Sequence, residues 1–291
     1  MSLDLTALVN AGKKVLDNKN VSGIILGASG NGKSRACGTF GVKTLYLYTG
    51  GETHGPASAE VGATLHGSGS VHPVRLDSRD GSPDGEILTP DETYQHLLSI
   101  LTAKDQVKKL GIGAIAIDGA SEIETLICST SAYKARVAAE YKGNTSFAGP
   151  VVLGMFRPIL AALQKLQSEL NIHYVITCIL NIRELGDNGQ ILDAEPKLAG
   201  YNVATGLIQQ FPDVLVIGRV SDGEREVPML QFGAHVHKSS KDFTTKEVRK
   251  LHNFNIRVTG VDLSEAPEML KPNFARLIEF KKAGKYVAKG G

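Results

Sequence analysis

Residues 27 to 34 read Gly27-Ala28-Ser29-Gly30-Asn31-Gly32-Lys33-Ser34, which fits the pattern G-x-x-x-x-G-K-[ST] at every fixed position. Each part has a physical task. Glycines let consecutive backbone N–H groups point inward around a phosphate, in conformations that a Cβ would forbid. Lys33 is placed to reach β- and γ-phosphates, and the Ser34 hydroxyl to ligate Mg²⁺. The apolar run Ile24-Ile25-Leu26 just before the loop suits a buried strand, and Lys33 to Phe40 suits a helix whose N-terminus faces the anion. The stretch from Gly27 to Ser34, with the adjoining Arg35, therefore implies a bound nucleoside triphosphate with Mg²⁺.

The length of 291 residues suits one large α/β domain or a domain with an appended subdomain. The net charge of +2 excludes a polycation, so any nucleic-acid contact has to come from local patches. Cys37, Cys128 and Cys178 share no metal-type spacing and read as reduced thiols. No signal-type segment or bilayer-length apolar run stands out, so the expectation is no membrane and a cytoplasmic protein, in whichever cell makes or hosts it.

Outward from the loop, Leu3 to Leu16 has helical apolar spacing, and Ser22–Leu26 forms the first strand. Lys43–Tyr48 alternates as a second strand and ends in the turn-rich Thr49-Gly50-Gly51-Glu52-Thr53-His54-Gly55. A Gly-, Ser-, Asp- and Pro-rich stretch from 66 to 90 carries a short strand at Val74–Leu76. A helix from Pro90 to about Leu110 opens on the capping box Thr89-x-x-Glu92. Ile112 to Asp118 is an apolar strand ending in an acid. Residues 121–149 start as helix and pass into a loop at 141–149; Pro158–Leu170 is helical, and Tyr174–Leu180 is a buried strand ending in Asn181-Ile182-Arg183. Val214–Val220 and Pro228–Phe232 read as a β-hairpin, Pro272–Phe280 as a closing helix, and the Lys- and Gly-rich tail from Lys281 as mobile. Strands alternating with helices call for a mostly parallel, covered sheet.

A phosphate loop needs a partner acid for the metal's water shell, and strand-terminal Asp118 fits that role with Ser34. Two acids compete to orient or deprotonate water: Glu52 at the end of the second strand, and Glu122 four residues beyond Asp118. Asn181 is placed to sense the γ-phosphate, and Arg183 to meet nucleotide or DNA. The pair His235 and His237 is weak as a metal site without Cys or acid partners. Tyr133, Lys134, Arg136, Tyr141, Lys142 and Phe147 mix stacking rings with phosphate-binding cations, the composition of a single-strand binding segment.

With these residues in hand, the chain resembles the RecA-like P-loop ATPases, and is most similar to phage-type nucleotide-binding proteins of single-strand annealing and recombination. The resemblance rests on Gly27–Ser34, Glu52 with His54, Ala114–Asp118, Tyr174–Arg183, Pro196–Gly200 and Phe211–Val214. It implies a RecA-like core over 21–235 with a mostly parallel sheet and a C-terminal β-hairpin extension, preceded by an N-terminal helix (1–20) and followed by a C-terminal extension with a basic flexible tail (236–291). It further implies a DNA-dependent ATPase that acts on single-stranded DNA as a ring or filament of identical subunits. DNA loops would fall at about 134–149 and 184–200, with Lys33 and Glu52 catalytic, and a neighbouring subunit would supply Arg219, Arg225, Lys238 or Lys241. Gly50-Gly51 replaces the acid expected two residues before Glu52, which leaves two rivals open: a nucleotide-gated assembly protein with little hydrolysis, and a helicase- or packaging-type motor.

Overall fold

The structure is a computed structural model that describes residues 19–65, 69–185, 191–198, 201–221, 226–231, 258–262, 266 and 269–288. Strands β1 (Ser22–Gly27), β2 (Thr44–Tyr48), β3 (Val71–Arg75), β4 (Ala114–Asp118), β5 (His173–Leu185) and β7 (Asp213–Ser221) are parallel, in the order β3-β2-β4-β5-β1-β7. Antiparallel β8 (Glu226–Gln231) and β9 (Met269–Leu270) extend the β7 edge, and β6 (Ile191–Pro196) folds back on β5. Among the described residues the sheet has nine strands. This layout is α/β with a mostly parallel sheet, as expected, and is compatible with Rossmann-like and RecA-like cores alike.

The alternating side chains of the strands build two separate cores. Ile24, Leu26, Leu47, Ile117, Tyr174 and Ile176 face one side. There they meet α3 (Pro90–Thr102), α4 (Lys104–Lys109), α5 (Ala120–Ser129), α6 (Ser131–Tyr141), α7 (Gly149–Leu170) and α8 (Tyr201–Ile208). Ile25, Tyr46, Ala116, Val175 and Leu215 face the other side, against α1 (Lys33–Cys37), α2 (Gly55–Leu65) and α9 (Phe274–Ala283). Asp118 and Thr177 continue the alternation of Ala114–Ala116 and Val175, so they share this second face with Tyr46.

Several elements differ from their expected bounds. Helix α1 stops at Cys37 rather than Phe40, because α2 packs across it: a Cβ on Gly62 would strike the Arg35 carbonyl, and one on Gly38 the Ala59 carbonyl. Helix α2 lies between the turn-rich 49–55 and the Gly- and Ser-rich 66–90, in a segment for which the sequence predicts no element, and its Gly62 serves close packing against α1. The helix from Pro90 breaks at Ala103 into α3 and α4, while its Thr89–Glu92 capping box is present as expected. Pro158 lies inside α7, whose apolar face (Val151, Met155, Ile159, Leu163) runs through it and outweighs the lost backbone bond. Lys281, expected in a mobile tail, sits in α9 with its ammonium buried against Asp213. The expected N-terminal helix, His235 with His237, and Arg225, Lys238 and Lys241 fall outside the described residues.

Candidate functional site

Strand β1 delivers the loop at the C-terminal edge of the sheet. Gly30 (φ 77°) and Gly32 (φ 87°) adopt the left-handed conformation that turns successive N–H groups inward. A Cβ on Gly27 would lie 2.8 Å from the Ile217 carbonyl oxygen, so β7 leaves room only for glycine. The same strand fastens the loop twice: Asn31 Nδ2 donates to the Ile217 carbonyl at 3.1 Å, and Arg219 Nη2 to the Gly30 carbonyl at 2.8 Å. Arg219, expected to act on a neighbouring subunit, therefore reaches the loop of its own chain.

Lys33 is buried, and its ammonium donates to the carbonyls of Gly27 (3.0 Å) and Ala28 (2.9 Å). Burial lowers its pKa, while Asp118 and Glu52 pull it back up. The next residue, Ser34, donates its hydroxyl to Asp118 Oδ2 at 2.7 Å. Arg35 is exposed.

Asp118 ends β4 and is only 3% exposed. Besides Ser34, it accepts the Thr177 hydroxyl of β5 at Oδ1 and the Tyr46 hydroxyl of β2 at Oδ2. Burial, with the neighbouring Asp118 charge, pushes the Tyr46 phenol far above its ordinary pKa, so it stays a donor. Two glycines make room: a Cβ on Gly55 would collide with the Tyr46 hydroxyl, and one on Gly119 would come within 2.8 Å of Thr177 Oγ1.

Glu52 sits in a short 3-10 turn (Gly50–Glu52) beyond β2, closed by its N–H on the Thr49 carbonyl at 3.0 Å. The Gly50 N–H donates to Asp77 Oδ1 at 3.0 Å, and Arg75 Nε holds that oxygen at 2.9 Å. Glu122 opens α5 against Gly51, where a Cβ would lie 3.3 Å from Glu122 Oε2. Burial, then the charges of Asp118 and Glu122, raise the Glu52 pKa; Lys33 opposes them. Ser34 and Asp118 are thus in contact, and Lys33, Asp118 and Glu122 lie close enough to Glu52 for their charges to act on it. A cavity of about 250 Å³ is lined by residues including Thr49, Asp77, Leu88, Glu122 and Leu126. The buried Thr49 hydroxyl oxygen there has no hydrogen-bond partner among the described residues.

Asn181 is not gathered in: it is exposed, and its backbone pairs with Glu195 in the β5–β6 arm. That arm runs through much of the loop expected at 184–200; the Arg183 side chain lies outside the described residues. The loop expected at 134–149 is helix as far as Tyr141. Tyr133 is buried in the core and cannot stack on a base, whereas Phe147 is 68% exposed with Lys134 and Lys142 exposed nearby in sequence. Arg136 is paired with Glu140 at 3.0 Å.

Tyr46, Thr177, Gly55 and Asp77 were missed at the level of sequence. Tyr46 and Thr177 read as ordinary β-formers, and only the order β2-β4-β5 shows that they flank Asp118. Among the described residues no group of three or more His, Cys, Asp or Glu side chains is placed to hold a metal ion by itself, and no helix is long and apolar enough to cross a membrane. No family model matches the chain, and no curated protein matches it.

Proposed function

We propose that the chain is a RecA-like P-loop ATPase that binds Mg²⁺-ATP at Gly27–Ser34 and hydrolyses it as an oligomer on single-stranded DNA. The observation that carries this reading is the convergence of the Lys33 ammonium, the Ser34 hydroxyl and a buried Asp118 carboxylate beside a left-handed glycine loop. The donor set fits Mg²⁺, which prefers oxygen, takes few protein ligands and keeps several waters. Ser34 Oγ would hold the ion directly and Asp118 would order its water shell. Bound there, Mg²⁺ would supply neutralisation of phosphate charge.

This chain's own residues supply the remaining steps. Lys33 exchanges the Gly27 and Ala28 carbonyls for phosphate oxygens. Glu52 orients and deprotonates the attacking water; its raised pKa makes it a stronger base than an ordinary glutamate. Glu122 is the second acid in line. Exposed Phe147 with Lys134 and Lys142 offers a ring for a base and cations for phosphates.

The test is ATP binding and turnover, with and without single-stranded DNA. Lys33→Ala abolishes binding, and Glu52→Ala spares binding but stops turnover. Normal turnover in Glu52→Ala transfers the base to Glu122. Tight ATP binding without turnover in either condition would replace the enzyme by a nucleotide-gated assembly protein.

A further inference from the structure

We infer that Tyr46 and Thr177 are positioning residues for a divalent cation: one hydroxyl from each strand flanking β4 fixes the Asp118 carboxylate so that it holds Ser34 and stays oriented for the ion. The inference rests on the proposed Mg²⁺-nucleotide reading and goes beyond it by assigning two side chains that touch neither nucleotide nor metal.

The order β2-β4-β5 places Tyr46 on one side of Asp118 and Thr177 on the other, with all three on the face that carries α1. Each hydroxyl takes a different carboxylate oxygen, which defines the plane of the group. Ser34 then meets Oδ2 at 2.7 Å, the oxygen that also accepts the Tyr46 hydroxyl. Tyr46 is fully buried and Thr177 is 1% exposed, so neither hydroxyl has water as a partner. A hydroxyl placed in such surroundings is costly unless it is bonded, and Phe and Val would fill these volumes without it.

Charge gives the second strand of support. A carboxylate as buried as Asp118 is ordinarily neutralised by an ion pair. Among the described residues its hydrogen-bond partners are hydroxyls, while the ammonium of Lys33 is spent on two loop carbonyls. Hydroxyl donors fix the carboxylate in place without forming an ion pair with it. The glycines at 55 and 119 give the arrangement the clearance it needs.

The test is a Mg²⁺ titration of nucleotide binding, followed with a fluorescent ATP analogue and repeated in EDTA, for the wild type, Tyr46→Phe, Thr177→Val and Thr177→Ser. Outer partners of metal ligands typically change metal affinity 10–100-fold. Tyr46→Phe and Thr177→Val are expected to raise the half-saturating Mg²⁺ concentration about tenfold, shrinking the ratio of affinities with and without Mg²⁺; Thr177→Ser restores it. An unchanged Mg²⁺ demand in folded Tyr46→Phe and Thr177→Val overturns the inference, as does an equal loss with and without Mg²⁺. Near-ultraviolet circular dichroism reports folding, and if Tyr46→Phe fails to fold the Val and Ser variants at 177 decide alone. A wild type that binds no nucleotide overturns the functional reading itself. One that binds with Mg²⁺ while the variants match it overturns only the role of Tyr46 and Thr177.

Discussion

Two buried carboxylates sit at opposite ends of the same sheet, and they are treated differently. Asp213, at the N-terminal end of β7, is wholly buried and receives the Lys281 ammonium on both oxygens (2.8 and 2.6 Å), plus the N–H groups of Ser22 and Thr259 at 2.9 Å each. Its charge is cancelled and its oxygens are filled, tying α9 to the strands from below. Asp118, at the C-terminal end of β4, is held by the hydroxyls of Ser34, Tyr46 and Thr177. Its geometry is fixed by hydroxyls, with no salt bridge to it among the described residues. The same residue type serves anchorage at one end and, in our reading, cation binding at the other, and the identity of the donors separates the two.

The contrast can be broken most forcefully at Asp213. Removing one partner of a buried ion pair leaves the other uncompensated, so Lys281→Met is expected to cost about 3–5 kcal/mol in urea unfolding. Asp213→Leu combined with Lys281→Met recovers much of that loss. A Lys281→Met protein as stable as the wild type would deny the pair its anchoring role. Asp118→Asn is the counterpart: about 1–3 kcal/mol of stability from disturbed hydroxyl partners, but a 10–100-fold rise in Mg²⁺ demand for nucleotide binding. A larger stability loss at Asp118 than at Lys281 would invert the comparison.

A third effect belongs to the Asp213 end. His173 Nδ1 accepts the Val21 N–H at 3.1 Å, and burial, then the charges of Lys282 and Lys281, lower its pKa from 6.5 to about 4. The unfolded chain therefore takes up this proton first as pH falls. Stability from the neutral imidazole is complete above about pH 6.5 and is lost progressively down to pH 4, reaching about 2 kcal/mol at pH 5. His173→Gln should flatten that slope between pH 7 and 5, and a slope equal to wild type would place the sensitive group elsewhere.

The smallest effect lies at Glu52. Because Asp118 and Glu122 raise the Glu52 pKa, the acid limb of turnover lies above the range of an ordinary glutamate. Glu122→Gln removes one of those charges and moves the limb to lower pH, whereas an unmoved limb would uncouple the two acids.

What could be read in advance was whatever one segment specifies by itself. The loop at Gly27–Ser34, the strand-terminal Asp118, the Thr89–Glu92 cap and the antiparallel partners β7 and β8 each carry a local signal. Hidden features depend on partners distant in sequence. Tyr46 lies 72 residues from Asp118, Thr177 lies 59, and Lys281 lies 68 from Asp213. Helix α2 was obscured by glycines that serve helix packing. Asn181 was singled out as the polar residue at the end of a strand; β5 runs on past it into an arm with β6, and Thr177 is the residue level with Asp118.

The most direct test of the central claim is a crystal structure of the wild type with Mg²⁺ and a non-hydrolysable ATP analogue. The expected result has the β- and γ-phosphates inside the loop from Gly27 to Ser34, Lys33 Nζ moved from the Gly27 and Ala28 carbonyls onto phosphate oxygens, and the ion on Ser34 Oγ with Asp118 still held by Tyr46 and Thr177. An analogue bound elsewhere, or a Lys33 that keeps its two carbonyls with the loop empty at saturating analogue, would contradict it.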